Sequence, residues 1–402
     1  MSTQDEKPLT KMSSKKQIIF IVNPISGTHG KENILRLIEE RLDRSVYDYV
    51  IKKTEYAGHA SELALEAARN QADIVVAIGG DGTVNEIGRS LVHTQTAMGI
   101  IPCGSGNGLA RHLHIPLEPK GAIQVLNEGI CTQMDYGKIN DRLFFCTCGV
   151  GFDAFVSLKF ANSGKRGLLT YLENTLHESL TYRPETYEIE NESGSVKYKA
   201  FLIACANASQ YGNNAYIAPQ ASLTDGQMDI TILEPFNVLD VPALSFQLFN
   251  KTLDQNSRIK TLREKKIIIH RAKEGVFHFD GDPAMGGKDI EVEIIPAGLK
   301  VMIPKEQEKP YAYPLNVFQY FTEFVGKKPI TSEIAKKHKE LLQLNQNLLR
   351  RLSKKMTGLH GQVKIPGQTD ILRTVDVTLQ LDHQTVFPAR QDATAESQQR
   401  AF

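Results

Sequence analysis

Two glycine-rich stretches hold the residue types best suited to chemistry. One is Ile78-Gly79-Gly80-Asp81-Gly82-Thr83-Val84-Asn85-Glu86; the other, about twenty residues later, is Pro102-Cys103-Gly104-Ser105-Gly106-Asn107-Gly108-Leu109-Ala110-Arg111. The first follows the apolar run Ile74 to Ala77 and the second follows Met98 to Ile101, so each loop is expected to leave a strand and enter a helix. Glycine lets backbone amides close on a phosphate with no Cβ between them, and a helix start adds unpaired N–H groups and partial positive charge. This combination suits a polyphosphate. Asp81 would repel bare phosphate, so the same pattern implies a divalent cation between them. ATP with Mg2+ is the simplest ligand, cradled by Gly79, Gly80, Asp81, Gly82, Thr83 and Asn85, with Ser105, Gly106 and Asn107 facing the nucleotide. Neither stretch is a Gly-x-x-x-x-Gly-Lys P-loop, and Gly104 to Leu109 lacks the third glycine of a dinucleotide fingerprint.

Transfer of a phosphoryl group to an alcohol also needs a base for the hydroxyl proton and room for the rest of the acceptor. The turn Phe279-Asp280-Gly281-Asp282-Pro283 presents two carboxylates between strand-like stretches, and Asp282 is the candidate base. Asp81 is its rival, readable either as base or as metal partner.

These loops need a frame that places them together. From Gln17 to about Asp135 the chain alternates strand and helix: Gln17 to Val22 strand, Glu32 to Leu42 helix, Tyr47 to Lys53 strand, Ala60 to Arg69 helix, Ile74 to Ile78 strand. Such alternation predicts a mostly parallel sheet with ligands at the carboxyl ends of its strands. Beyond Asp135 the pattern becomes strands and turns, with runs at Arg142 to Cys148, Lys197 to Cys205, Gln227 to Leu233, Lys265 to His270, Gly275 to Phe279 and Ile290 to Ile295. Their period of two predicts a largely antiparallel sandwich, with a helical insert at Gly167 to Leu180.

Composition narrows the classes. The 402 residues carry a formal charge of +1 and 41% apolar side chains, enough for packed cores and no bulk field for nucleic acid. Five cysteines without a C-x-x-C pair argue against a disulfide scaffold and fit a reducing, cytoplasmic setting. No apolar run reaches the length of a membrane span, so contact with a membrane is expected to be peripheral, at its inner face. Tyr311, Tyr313, Phe318, Tyr320, Phe321 and Phe324, flanked by lysines, suit a membrane interface or a segment folded onto the body. Ser332 to Lys355 reads as a helix open to packing, homodimerisation or lipid-surface binding.

The two glycine loops, together with Asn23-Pro24-Ile25-Ser26-Gly27 and Thr54 ahead of Gly58-His59-Ala60, resemble the diacylglycerol kinase catalytic domain family, which includes bacterial lipid kinases, sphingosine kinases and ceramide kinases. The resemblance covers roughly residues 17 to 304. It implies an α/β plus β fold: a doubly wound α/β nucleotide domain at 17–137 and a β-sandwich lipid domain at 138–304. Outside it, the residues themselves read as a partly helical extension at 305–356 and as polar tails at 1–16 (flexible) and 357–402 (largely disordered). The resemblance also implies nucleotide contact at Asn23, Ser26 and Thr54. Family members typically carry Asp-Gly-Glu where this chain has Asp280-Gly281-Asp282, and the shorter Asp282 requires a closer approach or an intervening water. Asp225 matches an aspartate that joins a metal in the family, although a hairpin turn explains it equally well. Asp153 matches a lipid-domain position where a carboxylate would bind a polar head group. The expected activity is transfer of the γ-phosphate of ATP to the primary hydroxyl of a membrane-derived long-chain lipid, and the Gly-Ser-Gly-Asn-Gly form tilts toward a sphingoid base over diacylglycerol. Two alternatives stay open: a kinase of a soluble acceptor such as NAD, since NAD kinases share a GGDG loop, and a non-catalytic lipid- or nucleotide-binding protein.

Overall fold

The computed structural model describes residues 15–26, 30–163, 182–237 and 240–305. The expected helix at Gly167 to Leu180, the aromatic stretch, the helix at Ser332 to Lys355 and most of both tails lie outside these residues. The first half runs β1 (Lys16–Val22), α1 (Lys31–Arg41), β2 (Tyr47–Lys53), α2 (His59–Arg69), β3 (Ile74–Gly79), α3 (Asp81–Leu91), β4 (Ala97–Pro102), α4 (Gly108–His112) and α5 (Pro119–Glu128). Strands β2, β1, β3 and β4 lie side by side in that order and all pair in parallel. Every residue of β3 and β4 is buried, which is why they read as unbroken apolar runs rather than alternating ones. Each helix turns one stripe to this sheet: Ile34, Leu37 and Ile38 of α1, Leu63, Ala64 and Ala67 of α2, Val84, Ile87 and Leu91 of α3. Fully buried side chains such as Phe20, Ile78 and Met98 contribute about 1.5–3 kcal/mol each by leaving water.

The second half adds β5 (Ile130–Ile139), β6 (Arg142–Phe144), β7 (Thr147–Gly151), α6 (Phe152–Ser163), β8 (Glu185–Asn191), β9 (Gly194–Ala200), β10 (Leu202–Ala206), β11 (Met228–Leu233), α7 (Val241–Phe249), β12 (Ile259–Glu264), β13 (Lys266–Arg271), β14 (Gly275–Phe279), β15 (Asp282–Gly286) and β16 (Asp289–Ile303). One antiparallel sheet has the order β12-β11-β10-β7-β14-β15. The antiparallel group β8, β9, β13 and β16 faces it across a core of Val150, Ile203, Ile230, Phe277 and Val292, giving the expected sandwich.

The two halves share a sheet. The amino-terminal part of β16 pairs antiparallel with β13, and its carboxyl-terminal part lies parallel to β4 at Val301. A bulge between Ile295 and Leu299 allows the change of partner, with Ala297 in the left-handed region at φ 51°. Asp135 of β5 pins that bulge: its carboxylate accepts from the Ala297 N–H at 2.7 Å and the Gly226 N–H at 2.7 Å. The sequence boundary at 137/138 therefore falls inside β5, and the last strand returns to the first domain's sheet. Helix α6 was not expected; it follows β7 directly, with Gly151 at φ 100° making the turn.

The β14–β15 hairpin depends on one buried cation. Arg271 donates to the carbonyls of Gly287, Val276, Gly275 and Gly286 at 2.8–3.0 Å, tying both strands of the hairpin to β13. Lysine cannot reproduce this planar fork. Arg271→Met leaves these buried acceptors unpaired and is expected to lower unfolding stability by about 3 kcal/mol or more. Urea titrations of wild type, Arg271→Met and Arg271→Lys test it: lysine should recover little, and an unchanged midpoint for either variant would contradict this role.

Candidate active site

The four loops singled out from sequence all sit at carboxyl ends of parallel strands, after β1, β2, β3 and β4. They are joined to each other. Asn23 Nδ2 donates to Thr83 Oγ1 at 3.1 Å, which fixes the loop after β1 against the first turn of α3. Ser26 is folded onto the same loop, its hydroxyl donating to the Asn23 carbonyl at 3.0 Å. The Thr54 N–H donates to the Val22 carbonyl at 2.9 Å, so the end of β2 lies beside that loop.

The two glycine loops touch backbone to backbone. A Cβ on Gly80 would stand 3.2 Å from Gly104 Cα, and one on Gly79 would strike the Thr83 side chain at 2.5 Å. A Cβ on Gly106 would meet Asp81 Oδ2 at 2.7 Å. Helix α3 begins at Asp81 with Gly80 as its cap, a residue with no side chain to bond the first N–H groups. Gly82, exposed in that first turn, has nothing within 4 Å of where a Cβ would be. An uncapped helix start with open space before it is an anion site.

Asp81 departs from both expected roles. Its Oδ2 accepts from the Asn107 N–H at 2.8 Å and its Oδ1 from the Gly108 N–H at 2.7 Å. The carboxylate is thus the anion that caps α4, and its inward position raises its pKa against the lowering effect of these bonds. A carboxylate committed this way braces the loops and is poorly placed as base or metal ligand. Asn107 also differs from expectation. At φ 50°, it turns its amide back onto its own loop, accepting from the Gly104 N–H at 2.9 Å and donating to the Gly104 carbonyl at 2.7 Å. Asn85 is buried within α3.

Sequence reasoning missed the turn that clamps the second loop from the other side. Gly212, Asn213 and Asn214 all have positive φ; the Asn213 N–H donates to the Gly106 carbonyl at 3.0 Å, and Arg111 Nε donates to that same oxygen at 2.9 Å. The Asn-Asn pair after glycine is the signal that would have found it. Lys31, at the start of α1, was missed as well. It is 9% exposed, and its Nζ has no partner among the described residues.

The carboxylates of the β14–β15 turn have separate roles. Asp280 and Gly281 have φ of 52° and 85°, the geometry of a tight hairpin turn. The Asp280 carboxylate points in, accepting from the N–H groups of Phe145, Cys146 and Thr147 at 2.7–3.1 Å. Asp282 points out, its side chain 58% exposed and 3.6 Å from Arg89 Nη2 of α3. That guanidinium lies over the Phe279 ring and donates from Nε to the Leu143 carbonyl at 3.2 Å.

Two further expectations change. Asp225 is near a guanidinium rather than among other donors: Arg263 Nη2 is 3.8 Å from it and 3.3 Å from Asp229. No group of three or more His, Cys, Asp or Glu is gathered to hold a metal among the described residues. Asp153 is not a free carboxylate. It is 7% exposed, with Oδ1 accepting from the Ala154 N–H at 2.8 Å and Oδ2 bonded to Tyr211 Oη at 3.2 Å and His278 Nε2 at 3.0 Å. The structure brings Asn23, Thr54, Gly79 to Thr83 and Ser105 to Asn107 together; Asp153 and Asp225 belong to the second half of the chain.

Burial pushes the Asp280 carboxyl up to about 6, against the backbone N–H groups and Arg89, which lower it. A folded value above the ordinary 3.8 means that its contribution to stability is fully present below about pH 4 and is lost as pH rises through about 6. Carbon-13 titration of the Asp280 carboxyl should show a midpoint near 6 in wild type and a higher one in Arg89→Gln. A midpoint near 4 in both would contradict this.

Residues 17–139 match the family model described as diacylglycerol kinase catalytic domain, and residues 146–303 match the YegS C-terminal NAD kinase beta sandwich-like domain. The chain is 26% identical over 298 residues to a protein named "Diacylglycerol kinase" in Bacillus subtilis (strain 168), spanning 73% of this chain and 98% of that one. It is 27% identical over 263 residues to "Probable lipid kinase YegS" of Salmonella arizonae, spanning 64% of this chain and 86% of that one. A crystal structure of a diacylglycerol kinase from Bacillus anthracis str. Sterne shares the fold with a TM-score of 0.58 at 19% identity, over 72% of this chain and 97% of that one. With two consecutive family models matching residues 17–139 and 146–303, and a site built where the α/β half predicts it, the chain belongs to the diacylglycerol kinase catalytic domain family.

Proposed function

We propose that this kinase transfers the γ-phosphate of ATP to the primary hydroxyl of a long-chain lipid, with a sphingoid base favoured over diacylglycerol. The observation that carries the reading is the uncapped start of α3 at Gly80 to Gly82, in contact with a second glycine loop, in a chain whose relatives are named as lipid kinases. Asp81 occupies the N–H groups that open α4, so the N–H groups of α3 are left for phosphate oxygens. Ser105 and Gly106 line the neighbouring loop, and Asn23, Ser26 and Thr54 bound the nucleotide on the side of β1 and β2.

Mg2+ enters this reading with the triphosphate. Phosphate oxygens and water would supply most of its ligands, as is usual for Mg2+ bound with a nucleotide. When bound, the ion neutralises charge on the phosphates. Asp282 is the carboxylate whose oxygens are not consumed by backbone N–H groups, and it takes the hydroxyl proton. The acceptor's alkyl chain is assigned to the β-rich half. Because such an acceptor resides in a bilayer, the enzyme works peripherally at a membrane surface, on the cytoplasmic side where ATP is supplied. No described helix is long and apolar enough to cross a membrane.

Labelled ATP with Mg2+ and micelles containing a sphingoid base, a ceramide, a diacylglycerol or no lipid, with NAD as a soluble control, tests the proposal. Label should enter the sphingoid base faster than diacylglycerol. Asp282→Ala should lower kcat roughly 10²- to 10⁴-fold, the usual range for loss of a general base. Label in NAD alone, or in no acceptor, would overturn the lipid assignment.

A further inference from the structure

The Asp153–His278–Tyr211 group has one atom left over. His278 is 1% exposed; its Nε2 bonds Asp153 Oδ2 at 3.0 Å, and its Nδ1 is buried with no hydrogen-bond partner among the described residues. An ionised carboxylate only accepts, so the proton of the neutral ring belongs on Nε2 and Nδ1 presents a bare lone pair. Buried polar atoms are nearly always paired, and one that is not calls for a reason. The neighbouring hydroxyl cannot supply it, because Tyr211 is engaged with Asp153.

The position of this lone pair is specific. Strands alternate their faces, and Phe277 and Phe279 on either side of His278 point into the sandwich core. His278 therefore points to the opposite face, with its cross-strand partner Gly149, beneath α6. A Cβ on Gly149 would stand 2.7 Å from Asp153 Oδ2 and 3.2 Å from His278 Nε2, so only glycine leaves room for the pair. Ala204 and Ala206 of β10 share that face and belong to the same buried apolar core as Phe152 and Val156. Tyr211 links the group to the nucleotide loops, since its backbone lies against Gly108 and the next residue, Gly212, packs on Gly106. On the adjacent hairpin strand, Pro283 lies opposite His278, one residue beyond Asp282.

We propose that His278 Nδ1 is the specificity-determining atom of the acceptor site: it accepts a hydrogen bond from a second donor, an ammonium or hydroxyl, beside the hydroxyl that is phosphorylated. The inference rests on the lipid kinase reading and moves recognition of the head group from Asp153 to the ring that Asp153 orients. Asp153 fixes the tautomer and places negative charge behind the ring, which favours a cationic or polarised donor in front of it. An amino alcohol such as a sphingoid base has that donor. The ester oxygens of a diacylglycerol are acceptors only and would meet the lone pair unpaired.

Two measurements on the full chain decide this. With histidine ring nitrogens labelled with ¹⁵N and a non-transferable ATP analogue bound, the Nδ1 resonance that is lost in His278→Gln should shift when a short-chain amino alcohol is added and stay in place with a short-chain diacylglycerol. In turnover, His278→Leu should reduce the ratio of kcat/KM for the amino alcohol over diacylglycerol roughly 10- to 100-fold, with KM for ATP unchanged, and His278→Gln should recover part of the ratio through its side-chain oxygen. An equal loss for all acceptors, or an Nδ1 resonance indifferent to the amino alcohol, would overturn the proposal. A shifted resonance with no lipid phosphorylated would overturn the kinase reading and leave the recognition; phosphorylation of lipid with an unmoved resonance would do the reverse.

Discussion

A single inward carboxylate holds the candidate site together. Asp81 sits at the start of α3, yet it bonds the N–H groups that open α4, so one side chain joins the loops that follow β3 and β4. The arrangement needs glycine at Gly80 and Gly104, where the backbones approach too closely for side chains, and at Gly106, where a Cβ would strike the Asp81 carboxylate. It also divides the two helix starts: α4 is satisfied from within, and α3 stays open to an external anion. An aspartate that would repel phosphate in the bare sequence has, in the fold, its charge held by two backbone N–H groups before any nucleotide arrives.

The second constraint is the continuity of β16. A domain joined to its neighbour by a linker would be free to move relative to it, whereas here the final strand runs from the sandwich into the parallel sheet beside β4. The bulge at Pro296 to Gly298 makes that passage, and Asp135 secures it with two backbone bonds. The β14–β15 hairpin carrying Asp280, Asp282 and His278 belongs to the other sheet, and Arg271 of β13, the strand beside β16, ties it to this one. Arg89 crosses from α3 to Asp282 and Phe279, giving the nucleotide half a direct contact with the hairpin.

Much of this was legible in the sequence because it depends on local rules. The buried parallel strands read as apolar runs, the glycine loops marked their ends, and the sandwich strands alternated. What was not legible depends on distant partners. Asp81 reads as base or metal ligand until its partners, about 26 residues away, are known to be backbone N–H groups. Asp153 reads as a free head-group ligand until His278, 125 residues on, is found beside it. Asp225 reads as a metal ligand until Arg263 takes the position of the cation. Helix α6 was hidden because its sequence is apolar on several sides and follows β7 directly, with Gly151, the last residue of that strand, making the turn. In each case the residue type was read correctly and its partner was unknown.

The claim that Asp81 braces the nucleotide site, and does not itself take the proton, is tested most directly by calorimetric titration of Asp81→Asn with ATP and Mg2+, alongside turnover of the same protein. An asparagine amide cannot accept both the Asn107 and Gly108 N–H bonds in the same way, so the loops should separate and ATP affinity should fall at least about tenfold, with turnover falling alongside. Wild-type affinity for ATP combined with a turnover loss of about a hundredfold or more would contradict the account and make Asp81 the base.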